Sequence, residues 1–234
     1  MIPRTTTDFI KDLRRDLADA ADVDDDGQPR DTLWSDDDLL SYLNSAAERL
    51  ASDTLGLRKG FTFQVEAGNP RIPLPASKIL DIYSAGWNVP DFGTKIHDLK
   101  WFDLGDSILT DDYGQMLRVQ PDYNTTGNPR YFTRDFEDDT LRLYPIPAVA
   151  GVMTVFAYVV PDQLFAGSVV PFRSNKDWDL LLLWAKNLAY RKQDADTVDL
   201  TRADAYRSEY LSTVLDRRSE LDRITRDGGI MKPR

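Results

Sequence analysis

The spacing of apolar residues changes twice along this chain, and that change constrains the fold more than any other feature. Phe9 and Leu13 recur at helical spacing near the start. Phe61 and Phe63 instead alternate with polar residues, as in a half-buried strand. Helical spacing returns after Pro171. Helices at both ends and strands between them predict an α+β fold in which the β-rich part is an insertion.

The N-terminal part, residues 1–58, is predicted to be a helix pair. The first helix covers about residues 7–21, with Thr6 or Thr7 as its cap, and the charged segment 22–31 ends it. The second helix has a sharper start, because Ser35 and Asp38 have the spacing of a capping box. Its apolar face continues toward Gly56.

The middle part, residues 59–173, is predicted to be a β-rich insertion with a small sandwich or barrel-like sheet. The runs 61–65 and 72–74 flank a Gly-Asn-Pro turn and predict a hairpin. Five further runs have strand character and are separated by Gly, Pro, Asn and Asp clusters: 79–83, 116–119, 130–133, 140–144 and 152–160.

The C-terminal part, residues 174–226, is predicted to be a second helix pair that completes a four-helix bundle. Around Trp178 and Leu188 the apolar residues cover most of the helix surface, which is typical of a central helix. The last helix covers about residues 200–226, and residues 227–234 are predicted to be a flexible tail.

Composition excludes several classes of function. The chain has no cysteine and one histidine, so zinc-thiolate sites, cysteine nucleophiles and paired-histidine metal sites are excluded. The formal net charge of -10 argues against broad affinity for DNA. The sequence contains no nucleotide-binding glycine motif, no targeting segment and no membrane span, so we expect no cofactor and a protein that starts in the cytosol.

Candidate chemical sites are weak. Asp22, Asp24, Asp26 and Gly27 match the start of a calcium-binding EF-hand loop, but Leu33 stands where the closing Glu is needed. A solvated acidic turn is the simpler interpretation. His97 precedes an aspartate without any nucleophile motif. We therefore predict no catalytic residue and no metal site.

Paired carboxylates are abundant, at 36–38, 111–112 and 138–139, but they fall in polar turns with little around them to desolvate either acid, as catalytic carboxylate pairs require. Aromatic residues crowd the β-rich part and either line a glycan or single-strand groove or form a core and a subunit interface. Their alternating spacing favours the second interpretation, and with it a structural or assembly module that is not an enzyme.

Several segments, in order, carry a family resemblance. Residues 34–46 read WSDDDLLSYLNSA, which resembles the second-helix signature W-S-D-x-x-L-x-x-Y-L-N-x-A of the head-to-tail adaptor (connector) proteins of tailed bacteriophages. Later segments look like further markers of the family: IPLP at 72–75, GNPRYF at 127–132, LRLYPIP at 141–147, YVVP at 158–161 and the two helices that begin near 178 and 200. The resemblance is to the tail tubular protein A type.

The resemblance implies a structural virion protein at the head–tail junction. Its partners would be the portal protein and a tail nozzle or tail tube protein. The chain would form a homo-oligomeric ring, a dodecamer. DNA would pass through this ring during ejection without specific binding. The last 18 residues carry six basic side chains against three acidic ones, which suits docking on an acidic partner. In such proteins a C-terminal arm docks on the portal, and here that arm would contain Arg217, Arg218, Arg223, Arg226, Lys232 and Arg234.

An alternative function is a tail-associated β module that binds or hydrolyses carbohydrate. The acidic body, with 17 basic and 28 acidic side chains in the first 175 residues, fits the adaptor better, because a conduit should repel the phosphates of passing DNA.

Overall fold

The chain divides into two compact units. The computed structural model describes residues 3–17, 32–75, 79–89, 96–101, 109–110, 116–117, 125–135, 139–192 and 198–227. The helical unit consists of Met1–Leu57 and Val159–Arg234, and the strand unit of Arg58–Tyr158. The predicted mixed α+β class is confirmed. The four-helix bundle and the sandwich or barrel remain predictions.

Four helices are described, all in the helical unit: α1 (Thr6–Asp16), α2 (Asp36–Thr54), α3 (Asn175–Ala189) and α4 (Leu200–Asp227). The cap of α1 is Thr5, so the predicted cap at Thr6 or Thr7 is wrong. Thr5 forms a reciprocal capping box with Asp8, whereas Thr6 is buried and bonds the carbonyl of Phe165. Adjacent threonines look alike in sequence, and only this packing distinguishes them. The segment 22–31, with its calcium-loop match, lies outside the described residues.

One apolar core holds the helical unit together. α3 packs against α2 and α4 and also contacts α1, which agrees with the apolar surface predicted for it. The loop that precedes α3 contributes Leu164, Val170 and Phe172 to the same core. The predicted insertion ended at residue 173, but residues 159–173 belong with the helices. This segment has no helical period, so its pattern does not reveal where it packs.

Twelve strands are described: β1 (Arg58–Val65), β2 (Arg71–Pro73), β3 (Ile79–Asn88), β4 (His97–Asp98), β5 (Lys100–Trp101), β6 (Leu109–Thr110), β7 (Met116–Leu117), β8 (Thr126–Gly127), β9 (Tyr131–Asp135), β10 (Thr140–Tyr144), β11 (Ile146–Pro147) and β12 (Gly151–Val159). Two four-stranded sheets have the orders β1-β12-β3-β4 and β2-β10-β9-β5, and the remaining strands pair as β11-β8 and β6-β7. The pairs β1 with β12, β2 and β9 with β10, β3 with β4, and β6 with β7 are antiparallel, whereas β5 with β9 and β11 with β8 are parallel.

The predicted hairpin between residues 61–65 and 72–74 is wrong. β1 pairs along its full length with β12, from Arg58 opposite Tyr158 to Val65 opposite Gly151, and β2 pairs with β10 in the other sheet. A three-residue strand could satisfy only part of the backbone of β1, whereas β12 pairs with all of it. Local spacing predicted the strands but not their partners.

Candidate assembly surfaces

Residues at the start of α2 contact the end of α3 and the residues that follow it. Asp38 and Ser35 form the predicted capping box. The indole of Trp34 is buried and donates to the carbonyl of Ala189, at the end of α3, with a distance of 3.1 Å. A hydrogen bond from Lys192 and the capping bonds from Ser35 lower the pKa of Asp38. The residues that carry the family resemblance here therefore have structural roles.

Asn44, in the same signature, ties α2 to the loop before α3. Its side-chain amide donates to the carbonyl of Leu164 at 3.1 Å, and its carbonyl accepts from the backbone N–H of Leu164 at 2.7 Å. Only Asn or Gln carries a donor and an acceptor on one amide, so the two bonds select this residue type. They hold the loop 160–173 against α2.

α4 is long and mostly exposed. It has 28 residues, against 15 in α3 and 19 in α2. Among its residues with described side chains, the buried ones lie on a single face: Ala203, Tyr210, Val214 and Arg217. Burial and the neighbouring Asp53 raise the pKa of Tyr210, whose hydroxyl donates to that carboxylate. Most of the surface of α4 is thus available to other molecules.

Arg217 lies inside the helical unit. Its guanidinium donates to both carboxylate oxygens of Asp177 in α3, at 2.7 and 3.1 Å, and to Glu220 at 3.1 Å. Lys176 also bonds Glu220 at 2.8 Å, and these two cations lower the pKa of that carboxyl. Arg217 therefore serves the packing of α4 on α3, although the sequence places it in a docking arm.

The other arm residues lie beyond or beside this contact. Because Lys176 is at the start of α3 and meets Glu220, residues 222–227 of α4 extend past the N-terminal end of α3. The side chains of Arg218 and Arg223 are exposed. The helix backbone includes Arg226, while Lys232 and Arg234 lie outside the described residues.

A polar groove of about 600 Å³ follows one side of this end of α4. Its lining carries four charged groups and two hydroxyls near Arg217: Lys176, Asp216, Glu220, Arg223, Thr213 and Ser219. The groove contains both signs of charge, so it suits a polar protein surface better than a phosphate backbone.

Two apolar features were missed from the sequence. Leu211 and Leu215, one turn apart on α4, are 40% and 67% exposed. Phe165 and Val169 are 65% and 56% exposed in the loop before α3, beside a groove of about 410 Å³ that includes Trp178. The leucine spacing was visible in the sequence, but which side of α4 faces the core was not.

The aromatic residues of the strand unit differ in exposure, and Trp101 and Phe156 are 41% and 42% exposed. Trp87, Phe132 and Tyr144 are buried, and the ring of Tyr83 packs against that of Tyr158 in a tilted arrangement, with the ring centres 5.0 Å apart. Phe102 and Tyr123 lie outside the described residues. A cavity of about 430 Å³ in this unit is lined by Asn88, Val89, His97, Gly127, Asn128, Ala148 and Val149. No Phe, Tyr or Trp ring is among these lining residues, so the described part of this cavity lacks the large aromatic face on which a sugar stacks.

The remaining candidates for chemistry stand apart from one another. His97 is exposed on β4 and pairs through its backbone with Trp87. Asp36 pairs with Arg14, and Asp139 with Arg134. Across the described ranges no three acidic or histidine side chains come close enough to hold a metal ion. Asp111, Asp112 and Asp138 lie outside those ranges.

No described helix is both long and apolar enough to cross a membrane.

The model of the SU10 adaptor protein family matches residues 4–232, nearly the whole chain. The chain belongs to this family. A search of curated proteins finds no match. SU10 adaptors are structural proteins of bacteriophages, so membership supports a role in the virion and in contacts with other phage head or tail proteins, and it does not support catalysis.

Proposed function

We propose that this SU10 adaptor assembles as a ring, a dodecamer, that joins the portal to the tail nozzle or tail tube and lets DNA pass. The family match over residues 4–232 is the observation that carries the proposal. In the proposed ring, the four helices form a bundle that makes the ring body. The β-rich insertion, a small sandwich or barrel, faces the tail, as the resemblance to the tail tubular protein A type implies. The net charge of -10 suits a conduit that repels phosphate.

The basic end of α4 is the part that we assign to the portal. Arg223 is exposed in the segment that extends past α3, and Arg226 lies one turn later. Lys232 and Arg234 continue the positive charge. Arg217 is already paired with Asp177, so docking is assigned to the residues after it. Exposed charges of one sign speed and orient association with an acidic partner.

Negative-stain images and mass photometry of the chain with purified portal test the function. We expect a ring-shaped complex with a mass of many copies. A chain that stays monomeric with portal and shifts on polysaccharide would instead support the carbohydrate-binding β module.

Charge reversal tests the docking end separately. Arg223→Glu with Arg226→Glu should weaken portal binding and flatten its salt dependence. Lys11→Glu with Arg15→Glu, on exposed positions of α1, changes the net charge equally and is the control. If both double variants bind portal equally well, the basic end of α4 is not the portal-docking site.

A further inference from the structure

One side of α4 carries exposed leucines between two arginines. Leu211 and Leu215 follow each other by one turn, and Arg207 and Arg218 lie one turn before and about one turn after them on the same side. We name these four residues the leucine face. All four are exposed, while the core side of α4 holds Tyr210. The leucines thus leave apolar area open to another molecule, since they are 40% and 67% exposed.

A second exposed side of α4 is acidic. Glu209 and Asp216, two turns apart, form the acidic face, a little under half a turn around the helix from the leucine face. In the part of the chain that the structure describes, Arg207, Arg218, Glu209 and Asp216 form no ion pair. Their charges are free for contacts with another molecule.

Neighbouring charges frame the two faces. Asp204, at the start of the leucine face, is paired with Arg191, and Asp222 follows Arg218 by one turn. Beside the acidic face, Glu220 is paired with Lys176. Arg223, two turns after Asp216 on the same side, ends the acidic face with an exposed positive charge. Between these limits the unpaired charge is positive on one face and negative on the other.

We propose that the leucine face of one copy docks on the acidic face of the next copy. This inference rests on the proposed ring. Complementary charges on two different sides of one helix fit a head-to-tail contact, which closes into a ring when the rotation between copies allows it. A two-fold dimer would place like charges of the same face together, which is unfavourable. The leucines supply the apolar area at the centre of the contact, and the arginines supply its orientation.

Swapping the charges of both faces tests the contact. Arg207→Glu with Arg218→Glu makes both faces acidic, and Glu209→Arg with Asp216→Arg makes both basic. Each double variant should lose the ring, and the chain with all four substitutions should regain it, because the complementarity is restored with reversed sign. Leu211→Ser with Leu215→Ser should raise the concentration needed for assembly by roughly tenfold or more.

The readout is the oligomer mass by mass photometry, for the full chain alone and with purified portal, with melting temperatures to show that each variant folds. Lys11→Glu with Arg15→Glu is the matched control and should leave the ring intact. A wild-type ring that both charge variants retain overturns this inference and leaves the proposed function standing. If both double variants lose the ring and the fourfold variant does not regain it, the copy-to-copy contact is overturned. That result would indicate that the portal binds these two faces. A wild-type chain that forms no oligomer in either condition overturns both.

Discussion

Arg217 of α4 donates from Nε and Nη2 to the two carboxylate oxygens of Asp177, at 2.7 and 3.1 Å, and so joins the fourth helix to the first turn of the third. Both residues are 9% exposed. Two parallel bonds fix the orientation as well as the distance of the pair. The helix continues for ten residues after Arg217.

Removing one member of this pair should destabilise the protein. Truncating a partner of a buried ion pair costs about 3–5 kcal/mol, but Glu220 stays within reach of Arg217, so we expect about 2 kcal/mol for Asp177→Ala. Urea unfolding measures the change. Arg217→Met with Asp177→Leu should recover much of the loss, because no charge then remains buried.

The matched control is Asp204→Ala, which removes the exposed partner of Arg191. An exposed pair contributes less than about 1 kcal/mol. If Asp177→Ala and Asp204→Ala cost the same, the buried pair does not hold α4 on α3.

The lowered pKa values of the two capping carboxylates predict how the stability of the protein depends on pH. Backbone and hydroxyl bonds from Thr5 lower the pKa of Asp8, and bonds from Lys192 and Ser35 lower that of Asp38. The unfolded chain therefore binds more protons than the folded one in this range. Stability is fully present above the unfolded pKa of about 4 and falls as the pH drops through the lower folded values.

Urea unfolding between pH 2 and pH 6 measures this dependence. Asp38→Asn should lower the free energy of unfolding at pH 6 and reduce its slope with pH, because the bond to a charged carboxylate is lost. Asp37→Asn removes a first-turn carboxylate without touching the capping bonds and is the control. A slope that Asp38→Asn leaves unchanged would contradict the role assigned to this cap.

Local patterns predicted local structure well in this chain, and contacts between distant residues account for the errors. The cap of α2 was predictable because Ser35 and Asp38 are three residues apart. The partner of β1 is about ninety residues away, and the two strands share no turn that could reveal it. Arg217 looked like part of a solvated basic run because Asp177, which pairs with it, lies 40 residues earlier.

The strand unit contains a glycine that packing requires. A Cβ on Gly151 would come within 2.7 Å of Cη2 of Trp87 and 2.8 Å of the carbonyl of Asn88. Trp87 is fully buried and cannot move without disturbing its neighbours. We expect Gly151→Ala to cost about 2 kcal/mol in urea unfolding and to change the near-ultraviolet circular dichroism.

Gly127→Ala is the control, since its Cβ would meet Cβ of Pro145 at an ordinary 3.6 Å. An equal and small effect of the two alanines would show that the sheet adjusts around Trp87 at little cost.

Asn44 offers a test of the contact between α2 and the loop 160–173. Asn44→Ala leaves the N–H and the carbonyl of Leu164 without their partner, and we expect a loss of about 2 kcal/mol. Asn44→Asp should cost more at pH 7, because a carboxylate would face the carbonyl oxygens of Leu164 and Leu40. A protonated Asp can donate again, so the folded pKa of the new carboxyl should be raised and the extra cost of Asn44→Asp over Asn44→Ala should disappear as the pH falls below about 4. Ser52→Ala, on an exposed site of the same helix, is the control. A pH-independent difference between the Asp and Ala variants would mean that the amide of Asn44 does not hold this loop through its donated bond.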